Sequence, residues 1–106
     1  METALEAYRR IVADQPICDE RLFAEALARY RSGEESAARV ISASFLRLAL
    51  EMAEPRSAGG ESRLFDLIQE ANAGLMEAIA DFTGGNLQEF LPFARDRIER
   101  RLTILA

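Results

Sequence analysis

The run Ser62-Arg63-Leu64-Phe65-Asp66-Leu67-Ile68-Gln69-Glu70-Ala71-Asn72-Ala73-Gly74-Leu75-Met76-Glu77-Ala78-Ile79-Ala80-Asp81-Phe82 decides the fold of this chain. At about 100° per residue, Leu64, Leu67, Ile68, Ala71, Leu75, Ala78, Ile79 and Phe82 fall on one apolar arc, as in a helix with one face in a core. Ser62 is placed to cap its first turn, and Gly84-Gly85 to end it. Phe65, Gln69, Asn72 and Met76 form a second stripe beside the arc, while Asp66, Glu70 and Glu77 lie on the opposite face. Ring, thioether and amide groups in one stripe suit an interface that mixes apolar anchors with hydrogen-bond specificity. The same periodicity equally suits a widened core with amides at its boundary.

Helical periodicity continues on both sides. Thr3 with Glu6 reads as a capping box, and Leu5, Tyr8, Ile11 and Val12 predict a helix to about Ala13. Asp19 is an N-cap for a second helix with Phe23, Ala26, Leu27 and Tyr30 on one face, closed by Ser32-Gly33. Glu34 and Glu35 start a long third helix along Ala37, Ile41, Phe45, Leu48 and Met52, which stops near Glu54 because Pro55 disfavours helix before it. Arg56-Ser57-Ala58-Gly59-Gly60 reads as a mobile loop. A last helix is expected from about Leu91, with Pro92 in its first turn and Ala94, Ile98, Leu102 and Leu105 inward. These elements predict an all-α bundle of about five helices forming a single domain, 1–106.

Composition narrows the function. The 106 residues suffice for one helical core, and no apolar run or leader pattern suggests a membrane span or export, so a cytoplasmic location without membrane partners is expected. Histidine is absent, which removes the commonest general base and the usual zinc sites; no metal, cofactor or catalytic residue is assigned and an enzyme is not expected. The lone Cys18 reads as a small buried hydrophobe. All thirteen cations are arginine and the net charge is −5, yet residues 91–106 hold four Arg against Asp96 and Glu99, so any nucleic-acid contact should lie there.

The stretch from Asp66 to Ile79 resembles the DLIQEGNxGLMxA signature of the bacterial sigma-70 family. Gly33 to Ala53 is similar to the same family's segment from GDxxAR to NLRLV, with Phe45 where the family has Asn. The first two helices, including Ile17-Cys18-Asp19-Glu20 before Leu22, resemble its region 1.2 more weakly. The resemblance covers nearly the whole chain and implies the helical region 2 fold. It further implies docking of the signature helix on the clamp coiled coil of the RNA polymerase β′ subunit, with roles for Asp66, Gln69, Glu70, Asn72 and Met76. Phe65 joins these from the angular stripe, which also contains Gln69, Asn72 and Met76.

The pattern fails in the segment that melts promoters in that family. Phe90 and Phe93 align with two of its aromatics, but its paired tryptophans become Asp96 and Arg97, and Gln88 stands at another aromatic position. An aspartate cannot stack on a base and repels phosphate, so promoter melting is expected to be weakened or lost. Arg97, Arg100 and Arg101 with Phe93 read either as a residual nucleic-acid footprint or as a solvated face balanced by Asp96 and Glu99, and Phe93 suits the core equally well. The leading expectation is a sigma-like transcription initiation protein that docks on polymerase. The alternatives are a minimal sigma factor that binds −10 promoter DNA through Phe90, Phe93, Arg97, Arg100 and Arg101, and a helical interaction module that self-associates through Phe45 and Phe65. An anti-sigma-type protein is a further candidate partner.

Overall fold

In a computed structural model describing residues 1–58 and 60–105, the chain forms α1 (Ala4–Ala13), α2 (Glu20–Arg31), α3 (Ala37–Ser44), α4 (Leu46–Ala53), α5 (Glu61–Asp81) and α6 (Leu87–Leu105), with a 3-10 turn at Glu54–Arg56. The fold is all-α, and none of these helices is long and apolar enough to cross a membrane. Two starts follow the expected chemistry: Thr3 accepts the Glu6 N–H at 3.1 Å, and Asp19 accepts the Leu22 N–H at 2.8 Å. Gly33 ends α2 with a φ of 108°, where a side chain would be strained.

Four boundaries differ from the sequence reading, the first being that α3 starts at Ala37, so that Glu34 and Glu35 precede it and do not form its first turn. The long third helix is divided at Phe45, whose φ of −111° and ψ of 8° break the ladder between α3 and α4. Its ring turns into the core against Phe90, with centroids 5.4 Å apart. Helix α5 starts at Glu61 after Gly60, which has a φ of 91°, so Ser62 is inside the helix and does not cap it. Gly59 of the expected 56–60 loop lies outside the described residues, while Pro55 and Arg56 belong to the 3-10 turn. Helix α6 begins a turn early because Asn86 caps it, accepting the Glu89 N–H at 2.9 Å on its side chain and the Phe90 N–H at 3.1 Å on its carbonyl. Pro92 is thus in the second turn, where it removes one hydrogen bond to the carbonyl of exposed Gln88.

The whole predicted arc of α5 is buried, from Leu64 to Phe82. Around it, Phe90 is 1% exposed and packs its ring on Phe23 at 5.0 Å, Phe82 at 5.1 Å and Phe45. One side chain thereby joins α2, the α3–α4 junction, the end of α5 and α6. Phe90→Ala should cost about 3–5 kcal/mol, a large part of a small domain's stability, and leave the chain mostly unfolded by circular dichroism near 37 °C.

Helices α5 and α6 approach closely at Gly74, where an added Cβ would lie 2.9 Å from both the Arg97 carbonyl oxygen and the Ile98 Cα. Alanine gains about 1 kcal/mol over glycine in a helix, but overpacking against backbone that cannot rotate aside costs roughly 1–3 kcal/mol. Gly74→Ala is therefore expected to lower the urea midpoint with an unchanged m-value, whereas a higher midpoint would show that the helices can separate freely.

Candidate docking surface and the polar seam beside it

Helix α5 divides its non-core surface between two neighbours and solvent. Glu70, Gly74, Glu77 and Asp81 recur at helical spacing along the side that meets α6. Arg101 pairs with Glu77 and, at 3.3 Å, with Glu70; Arg97 pairs with Asp81 at 2.6 Å. Glu70 and Glu77 are thus partly covered members of an inter-helix seam, contrary to their reading as a free opposite face. Hydrogen bonding to Asp81 raises the Arg97 guanidinium above its ordinary pKa, and hydrogen bonding to Glu77 does the same for Arg101. A raised arginine contributes below that range and loses its contribution only as pH climbs beyond it, so the seam has no alkaline weak point near neutrality. Each exposed pair adds little stability, and their geometric effect is to occupy the cations.

Of the residues expected to dock, Asp66, Gln69 and Met76 are exposed, Met76 at 43%. Asn72 is half-buried, and its amide oxygen is buried without a hydrogen-bond donor among the described residues. Phe65 is also half-buried, because Tyr8 of α1 covers it edge-on with ring centroids 6.0 Å apart. Helix α1 is held there by polar contacts: the Leu5 N–H donates to Glu61 at 2.8 Å, and Arg9 pairs with Glu54 at 3.0 Å. The part of the stripe open to a partner is therefore Gln69 and Met76 with the rim of Asn72; Asp66, about 60° round the helix from Gln69, stands exposed beside it and completes the open flank, while Glu70 belongs to the seam.

The residues expected to touch DNA are dispersed in role. Phe90 is in the core and offers no face to a base, which removes it as a stacking ring. Phe93 is half-buried against Phe82 at 5.6 Å, with the Arg97 guanidinium 5.0 Å from its ring centroid. Arg97, Arg100 and Arg101 do line one surface cleft of about 340 Å³ with Glu77 and Ile104, but every one of them is paired, Arg100 with Asp96 at 2.9 Å. Phe45 is buried, so it cannot serve the self-association expected of it, and Phe65 reaches a second copy only past Tyr8. Cys18 is half-buried and its thiol is pushed above the ordinary range chiefly by that burial, which disfavours the reactive thiolate.

Sequence reasoning missed the seam and the α1 cover. Glu70, Glu77 and Asp81 at helical spacing, matched by Arg97 and Arg101 on the next helix, carried the signal for the first. Tyr8 and Phe65 are too far apart in the chain for periodicity to relate them. No protein-family model and no curated protein matches this chain.

The Tyr8 hydroxyl is buried with no hydrogen-bond partner among the described residues. Leaving a donor unsatisfied costs about 1–3 kcal/mol, so Tyr8→Phe, which keeps the ring on Phe65, should leave stability unchanged or raise it by about 1 kcal/mol in urea titration.

Proposed function

We propose that this chain is a sigma-like module that docks on the β′ clamp coiled coil of bacterial RNA polymerase through the outer flank of α5, with promoter melting weakened or lost. The observation that supports this reading is that Asp66, Gln69 and Met76 stand exposed on one flank of the helix whose apolar arc is wholly buried. The fold does not need a thioether and an amide there, and Asn72 beside them leaves a buried oxygen unpaired, which folding alone would disfavour. A polar and apolar mixture of this kind is what a helical partner can read. The module would then assist a complete initiation factor or compete with one for the same coiled coil.

The weakened melting follows from α6. A strand-separating surface presents unpaired rings and cations, whereas here Phe90 is internal and Arg97, Arg100 and Arg101 already hold carboxylates. Any phosphate must displace those pairs, which favours weak and salt-sensitive contact over sequence recognition.

The full chain should bind core polymerase or an isolated β′ clamp coiled coil, and Gln69→Ala with Met76→Ala should weaken that complex by roughly tenfold or more if the flank holds central contacts. Absence of binding by the wild-type chain refutes the proposal. Titration of a labelled non-template strand should give weak binding indifferent to the −10 sequence; tight, sequence-dependent binding lost on Arg100→Glu would favour the minimal sigma factor instead.

A further inference from the structure

Eleven of the thirteen arginines are engaged: eight in ion pairs, and Arg31, Arg47 and Arg63 on backbone carbonyls. Arg39 and Arg95 alone meet no acceptor among the described residues, and Arg95 lines neither the Arg97–Arg101 cleft nor the grooves beside Met76 and Asp66. Arg39 does line one. Near the start of α3, it forms a groove of about 530 Å³ with Tyr30, Glu35, Ser36, Ala38 and the exposed Met76 of α5. The outer flank of α5 therefore runs at Met76 into a hollow that holds a guanidinium without a partner.

The other end of the flank has the opposite sign. Asp66 is exposed and unpaired among the described residues, and it lines a second groove of about 430 Å³ with Glu61, Ser62, Phe65 and Ala4. Ten residues at about 1.5 Å each separate Asp66 from Met76 by about 15 Å along the helix. The flank thus offers an acid, an amide, a thioether and then a cation, in that order.

From this polarity we infer that the docking surface extends beyond α5 onto α3, with Arg39 receiving a carboxylate from an α-helical partner whose other end offers a cation to Asp66. The inference rests on the docking reading above and adds its direction: a rod carrying a base toward one end and an acid toward the other fits one way round and meets like charges when reversed. Glu35, on the rim of the same groove, repels the incoming carboxylate and sharpens the demand that Arg39 supply the attraction. The Arg39 guanidinium, exposed and with no acceptor among the described residues, breaks no bond within the fold's described part when it turns to a partner.

The test is the affinity of the full chain for the isolated β′ clamp coiled coil at low and moderate salt. Arg39→Glu should weaken binding by about tenfold at low salt and less as salt screens the pair, and Arg39→Gln by an intermediate factor. Glu35→Gln should bind at least as tightly as wild type. Circular dichroism melts close to wild type are expected for all three, since neither the Arg39 nor the Glu35 side chain makes a bond among the described residues, and Arg39→Gln carries the test should the reversal impair folding. If Arg39 substitutions leave binding unchanged while Gln69→Ala with Met76→Ala weakens it, the extension onto α3 is overturned and the docking reading stands. Weakening by Glu35→Gln would overturn the assigned sign. No binding by the wild-type chain would overturn the docking reading and this inference with it.

Discussion

The burial of one phenylalanine organises this molecule. Phe90 touches Phe23, Phe45 and Phe82, and through them α2, the α3–α4 junction and the end of α5 converge on the first turn of α6. Aromatic pairs at these separations add directional preference to the area they bury, so the cluster specifies angles between helices as well as holding them together. That geometry sets which side of α5 faces inward, and so which side remains for a partner. The break at Phe45 belongs to the same constraint: a continuous third helix gives way to a bend that brings its ring to Phe90.

Helix α5 then serves three neighbours with three stripes. Its apolar arc packs inward, its Glu70, Glu77 and Asp81 stripe locks onto α6, and its remaining flank is open from Asp66 to Met76 except where Tyr8 covers Phe65. The arginines of α6 that might have addressed phosphate instead neutralise α5. One set of ion pairs thus both joins the two longest helices and quiets the basic segment, which explains how a local excess of cations coexists with little unpaired positive charge.

The all-α class and the inward arc of α5 were legible because period-3.6 patterning reports burial directly when a helix is long and has a single core face. The caps at Thr3 and Asp19 were legible for the same local reason, since each depends on residues three apart. What escaped the sequence required knowledge of which helices meet. Phe45 followed the inward stripe of its helix yet was also offered for self-association, and Phe90 was assigned to DNA, because nothing nearby in the chain shows that each fills the other's space. Asn86 was overlooked as a cap because Pro92 suggested a later start. The open flank was only partly legible: Gln69 and Met76 lie where angular placement put them, but covering of Phe65 by α1 and recruitment of Glu70 into the seam are tertiary effects. The Arg39 groove, assembled from α2, α3 and α5, leaves no local trace at all.

The missing side chain at Gly74 has a mechanical consequence. With α5 resting on the backbone between Arg97 and Ile98, the two helices share a contact without compliant atoms between them. A partner that grips α5 therefore bears on α6 through backbone as well as through side chains, and any widening of the gap between the two helices is felt along both.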